Sequence, residues 1–336
     1  PSEHFSVLTY DDGAGAKTGV GFQPDLVWFK GRGAGYDHKW VDAIRGTTKR
    51  LHSNDASVEG TDSTGLTAFG ADGFTVGADL SYSSTVGDGI VAWNWKGGNA
   101  TSGTGDFTQG SIASTCSRNV DAGFSIVSFT GTGSTGTVGH GLSSAPDMII
   151  IKNVDDAYAW RVYHSGNTSA PETEYLQLIS TTSTTDSATI WNDTAPTSSV
   201  FTVDTDNEAN RSGDEFITYC WHSVEGYSKV GAYTGNGSAD GTFVYTGFRP
   251  AYVMIKGNAS VTHWQIHDTA RDTYNVMQYQ LHANAGDTDA TSSAYYIDCL
   301  SNGFKLRMTH AGQNASSGTY IYLAFAETPF KYSNAR

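Results

Sequence analysis

Read for polarity, the chain alternates near the end of each third of its length. Apolar side chains fall on every second position in three sets: Val91, Trp93 and Trp95; Ile217, Tyr219 and Trp221; Ile321, Leu323 and Phe325. Strand side chains point to opposite faces in turn, so each set predicts a strand with one face in a core. A second kind of segment is apolar at consecutive positions, over residues 26–29, 148–151 and 252–255. Such short apolar runs predict strands covered on both faces. Aromatic-capped strands are expected over 5–10, 124–129 and 227–233. Further strands are expected over 73–76, 200–203 and 303–306, two of them introduced by Asp72-Gly73 and Asn302-Gly303, dipeptides suited to two-residue hairpin turns. No amphipathic helical period exceeds two turns; single helical turns are expected over 47–53 and 271–281.

These signals recur because the sequence repeats. Pro24, Pro146 and Pro250 each precede an apolar run that ends six residues on at Lys30, Lys152 and Lys256. Downstream the columns hold without gaps. His38 aligns with Trp160 and Trp264, Trp40 with Val162 and Ile266, Asp42 with His164 and Asp268, and Arg45 with Asn167 and Arg271. In the first copy the indole has moved two residues along, to Trp40, which keeps it on the same strand face, whereas a shift of one would put it in water. Trp40, Trp160 and Trp264 are therefore read as core anchors, with sugar stacking as the competing reading; Trp95, Trp221 and Phe325 close the copies. The resulting expectation is an all-β chain of three tandem antiparallel β-sandwich, jelly-roll-like modules: residues 1–98, a 99–122 linker with a short strand over 110–116, then 123–226 and 227–336. The brevity of the 221–227 connection predicts that modules two and three are rigidly coupled and module one more independently placed.

Composition supports the β reading. Charged residues make up 16% of the chain against a usual share of about 25%, and Gly reaches 39. Aromatics at 12% are enough to bury a core, which argues against disorder. Twenty basic against 34 acidic residues leave a net charge of −14, and the densest basic cluster is Lys49-Arg50. Phosphate neutralisation needs clustered cations, so neither nucleic acid nor an anionic membrane surface is an expected partner. The apolar runs are also too short for a membrane-spanning helix, which needs about 20 residues.

The ordered strings GFQPDLVWFK, GFTVG, IVAWNWKGG, AGFSIVSFTGTG, VGHGLSSAPDMIIIKN, SNGFKLR and YIYLAFAETPFKYSNAR resemble tandem modules in large structural proteins of marine tailed bacteriophages, described as tail, fibre or virion proteins of unknown function. The resemblance runs over nearly the whole chain. It implies a non-enzymatic virion component, part of a tail fibre or other surface appendage, with a role in host attachment; the alternatives are an assembly or capsid-decoration protein and, third, a polysaccharide depolymerase. Implied partners are other virion proteins, further copies of the chain and a host surface glycan. The family brings no established catalytic residue that could be transferred.

Chemistry sought in the residues themselves is sparse. Asp42 with Arg45 and Asp268 with Arg271 repeat as Asp-x-x-Arg, read as loop-closing charge-assisted contacts. His263 and His267 are four apart in a strand-like segment, without the glutamate of a helical zinc motif. Cys116, Cys220 and Cys299 have no framework or nucleophile spacing. No cofactor is expected; loop carboxylates such as Asp204, Asp206 and Asp214 are kept as a minor Ca²⁺ candidate. Loop tyrosines Tyr36, Tyr158 and Tyr274 are the candidates for stacking on a sugar face.

Overall fold

The computed structural model describes residues 3–84, 87, 89–98 and 109–327. The linker stretch 99–108 and the terminal residues 328–336 lie outside the described residues. The chain is all-β, built from antiparallel sheets in a sandwich arrangement.

Each copy builds one principal sheet with the same strand order: opening, closing, central, flanking. The opening strands are Phe5–Tyr10, Phe124–Thr130 and Ser228–Thr234. The closing strands are Ile90–Trp95, Glu215–Trp221 and Thr319–Ala326. The central strands are Leu26–Gly31, Met148–Asn153 and Pro250–Gly257, and the flanking strands are Lys39–Asp42, Arg161–His164 and Gln265–Asp268. Register confirms the alignment columns. Leu26 pairs with Asp42, Met148 with His164, and Tyr252 with Asp268.

Central strands are buried on both faces because two cores need them. In the first copy Val27 and Phe29 point outward onto a small sheet of Gly15–Thr18, Gly73–Val76 and Leu66–Gly70, while Leu26 and Trp28 point inward. Smaller sheets cover the other two principal sheets in the same way, with Phe201 and Val203, or Phe304 and Leu306, beneath them. Each copy is thus a sandwich. All three inward faces then meet in one further core, which holds Trp28, Trp93 and Trp95 together with Ile150, Tyr219 and Trp221 and with Met254, Leu323 and Phe325.

That shared core corrects the expectation of a loosely placed first module: Trp95 lies 6.2 Å from Trp221 and 5.7 Å from Phe325, ring to ring. Three further expectations change. The strand expected within the linker is Ser114–Asn119, and it pairs with the opening strand Phe124–Thr130 as the edge of the second sheet. Residues 47–53 and 271–281 contain no helix; among the described residues, single α-turns occur at Leu80–Ser83, Ala188–Trp191, Asn207–Asn210 and Ala311–Asn314. The hairpin turns are Ala71-Asp72 and Ser301-Asn302, since Gly73 pairs with Gly70 and Gly303 with Leu300. Glycine is needed there for close approach: a Cβ would sit 2.0 Å from the Lys17 carbonyl oxygen or 2.1 Å from that of Val244.

Candidate functional site: the junctions between modules

The repeated polar residues converge on the three junctions, and their contacts are cyclic. The backbone amide of Glu59 donates to Val154 O at 2.8 Å, that of Thr184 to Asn258 O at 2.8 Å, and that of Asp289 to Arg32 O at 2.7 Å. Module one thereby meets two, two meets three, and three meets one. The acceptors stand two residues after Lys152, Lys256 and Lys30.

The aligned ring nitrogens run the opposite way around the cycle. Trp160 Nε1 donates to His52 O and Trp264 Nε1 to Gln177 O, each at 2.8 Å. In the first copy His38 Nε2 lies 2.9 Å from His282 O, and its Nδ1 accepts from Trp28 Nε1 at 2.7 Å, so Nε2 carries the proton. Histidine can replace the indole in that column because both rings present an N–H at a similar reach. Burial, the largest influence, keeps the His38 pKa well below the usual range. Trp40 lies in the shared core, but among the described residues no hydrogen-bond partner meets its Nε1.

The Asp-x-x-Arg pairs extend beyond their own loops. Arg45 Nε donates to Asp42 Oδ2 and Arg271 Nε to Asp268 Oδ2, each at 2.6 Å. Tyr219 of module two donates to Asp42 at 2.8 Å, and Trp93 of module one donates to Asp268 at 3.1 Å. Against the cost of burial, the neighbouring carboxylates hold both guanidinium pKa values above their ordinary level. Module two substitutes a neutral version: His164 Nε2 donates to Tyr322 O at 3.2 Å, while its Nδ1 accepts from the Gly166 amide at 3.0 Å. Burial lowers the His164 pKa to about 4.

Lys30, Lys152 and Lys256 are fully buried at the same junctions. Each ammonium donates to the carbonyl of the next residue. Lys30 also reaches Gly286 O at 3.4 Å, and Lys256 reaches Thr181 O at 3.2 Å, both in the adjoining module. Burial takes each of the three pKa values down to about 8.

Beside these contacts the junctions open into clefts. Between modules three and one a cleft of about 560 Å³ is lined by Arg32, Gly33, Gly89, Tyr10, Tyr279 and Asp289, among others. Between modules two and three a cleft of about 440 Å³ is lined by Asn258, Ala259, Thr319, Glu174 and Thr184. The strand pairings make them equivalent positions. Tyr279 and Glu174 each stand two residues before Leu281 and Leu176, which pair with Ile266 and Val162; Gly89 and Thr319 each precede Ile90 and Tyr320, which pair with Gly31 and Gly257.

The sequence-predicted candidates sit elsewhere. Tyr36 and Tyr158 are half-buried at equivalent places in the loops after two central strands, so they are one position occurring twice. Tyr274 is 83% exposed on the unrelated loop after Gln265–Asp268. The anchors Trp40, Trp160 and Trp264 are buried in the shared core, as are Trp95, Trp221 and Phe325. Pro24 and Pro146 are buried just before their central strands, and Pro250, also buried, begins its strand. Asp204, Asp206 and Asp214 are engaged separately, by Thr135, by the Glu208 amide and by Asn153. His267 contacts Gln313 at 2.7 Å, while His263 stacks on His282 at 4.1 Å. The three cysteines are buried thiols; burial pushes Cys116 and Cys299 up to about 12 and raises Cys220 as well.

Asp37, His52 and Asp55 bring three potential metal ligands together. Cations already face this cluster: Lys39 Nζ lies 3.0 Å and Arg50 Nη1 2.8 Å from His52 Nε2. That arrangement fits a neutral imidazole accepting at Nε2 and donating from Nδ1 to Asp55 at 3.0 Å. Although burial raises the Asp55 pKa, hydrogen bonds from His52 and Ser57 bring it down to about 2. Arg32, Tyr279 and Asp289 were not singled out from the sequence; the signal available was the column two residues after each repeated lysine, which reads Arg, Val, Asn.

No curated protein and no solved structure matches the chain. A family model described as "Domain of unknown function (DUF7483)" matches residues 1–329.

Proposed function

Since the chain belongs to that family, whose description carries no activity, we propose that it is a non-enzymatic structural and attachment module of a phage virion, borne on a tail fibre or other surface appendage. One observation carries the reading: the two ends of the shared core differ. Phe5, Trp95, Phe124, Trp221, Tyr227 and Phe325 belong to the shared core and stand on or beside the opening and closing strands. These rings cluster at one end, with Phe5 stacked 4.6 Å from Phe325 and Phe124 5.2 Å from Trp221. Both clefts follow the far ends of the central strands, beyond Lys30 and Lys256. Clefts presented at the end of the core away from these rings suit attachment, because rigid sheets hold loop side chains in place.

The repeated polar groups support a structural role. The Asp–Arg pairs, the ring N–H donors and the buried lysines all make contacts within or between modules. The test is immunogold labelling of particles of the encoding virus, combined with competition of particle adsorption by the purified chain. Label on an appendage and reduced adsorption are expected. Particles without label would refute the virion assignment, and label without competition would favour the assembly role.

A further inference from the structure

We propose that the cleft between modules three and one is a saccharide subsite that takes a neutral pyranose ring; this rests on the attachment reading and names its ligand. The argument comes from comparing one position in its three versions. At the junction of modules one and two, Lys49 occupies the place of Tyr279 and Glu59 that of Asp289, and the two close on each other at 2.9 Å. Nearby, the Glu215 amide donates to Asp155 at 2.7 Å. At the junction of modules two and three, hydroxyl and amide groups satisfy one another: Thr319 donates to Asn258, Asn258 to Asn167 O, Thr184 to Asn167 at 2.8 Å and Thr168 to Glu174 at 2.6 Å.

The third version is different. Arg32 Nε donates to Asp289 Oδ2 at 2.7 Å, and the guanidinium carbon stands 5.6 Å from the centre of the Tyr279 ring. Asp289 Oδ1 accepts from Arg271 at 2.7 Å, which fixes the carboxylate from behind. Among the described residues, Nε is the one guanidinium nitrogen of Arg32 with a hydrogen-bond partner, so Nη1 and Nη2 keep their donors beside the cleft. Tyr10 forms another part of the wall, and Gly33 and Gly89 add no side chain there. The volume, about 560 Å³, falls within the ordinary range of ligand pockets, about 300–1,000 Å³.

This combination selects a ligand class. An aromatic face accepts the C–H side of a sugar ring, and an oriented guanidinium supplies a planar fork of donors to hydroxyl oxygens. Asp289 balances the charge of Arg32, Asp11 lines the same cleft, and the chain carries −14 overall. A neutral sugar therefore fits better than an anionic one.

Saturation-transfer difference NMR on the whole chain tests this, using methyl glucopyranoside, galactopyranoside and mannopyranoside, with glucuronate as the anionic probe, each at about 5 mM to suit a Kd near 1 mM. Transfer to at least one neutral pyranoside is expected, weakened about ten-fold or more in Arg32→Met and in Tyr279→Leu, and unchanged in Tyr245→Ala, an exposed tyrosine outside the cleft. If Arg32→Met fails to fold, Tyr279→Leu decides, because residue 279 keeps its backbone bond to Asp272 and its pairing with Thr291. No transfer to any neutral sugar, stronger transfer to glucuronate, or signal retained in both variants would each overturn the inference. If the chain still competes for particle adsorption while no pyranoside binds, the subsite falls and attachment stands; loss of both removes both.

Discussion

His164 offers a quantitative test of the junction chemistry. It stands where the other two copies place an aspartate, it is fully buried, and its tautomer is set from both sides: Nε2–H donates to Tyr322 O and Nδ1 accepts from the Gly166 amide. Protonation would set a second N–H against the Gly166 N–H, in a site where burial already disfavours charge. The folded pKa is about 4 against an ordinary 6.5. As pH falls below 6.5 the unfolded chain takes up this proton while the folded chain resists until about pH 4, so stability is lost across that window. Between pH 7 and pH 4.5 the loss attributable to His164 is about 2 kcal/mol. In His164→Gln the side-chain amide can still donate to Tyr322, the lost acceptor for Gly166 costs the same at both pH values, and the titration is gone. Urea unfolding followed by tryptophan fluorescence at the two pH values, for both proteins, isolates the term. With a slope of about 3 kcal/mol per molar urea, the wild-type midpoint should fall about 0.7 M further than that of the variant. Equal falls in the two proteins would refute the buried neutral imidazole.

Two further predictions concern how the modules are held. Trp160→Phe and Trp40→Phe remove the same atoms from the shared core, but only Trp160 loses a hydrogen bond, to His52 O; Trp160→Phe should therefore be worse by about 1–2 kcal/mol in urea unfolding, and equal effects would deny the interlock. A fragment of residues 1–98 uncovers Leu26, Trp28, Trp40, Trp93 and Trp95, which forfeits about 10 kcal/mol of burial against a typical domain stability of about 5–15 kcal/mol. It should self-associate or lack a cooperative transition by size-exclusion chromatography and near-ultraviolet circular dichroism; a monomeric fragment that unfolds cooperatively would show that module one stands alone.

The repeat, the strands and their facing were legible from residue order because strand periodicity is local. The alternation of Val91, Trp93 and Trp95 and the two-residue displacement of the indole to Trp40 both place side chains on a face without reference to any partner. His38 shares its column with Trp160 and Trp264, and the structure gives all three the same role toward the preceding module of the cycle. The turn at Gly73 was misplaced by one residue because the close approach of Lys17 O, which demands glycine there, comes from a strand far away in sequence.

Which surface each inward face would meet could not be read from the pattern. Apolar burial is non-directional, so three amphipathic sheets are equally well described as three separate cores or as one shared core. The choice rests on the cyclic set of amide, indole and carboxylate contacts that joins each module to the next. The cleft followed from that choice: Arg32 and Asp289, distant along the chain, become neighbours at 2.7 Å because module three closes the cycle back onto module one.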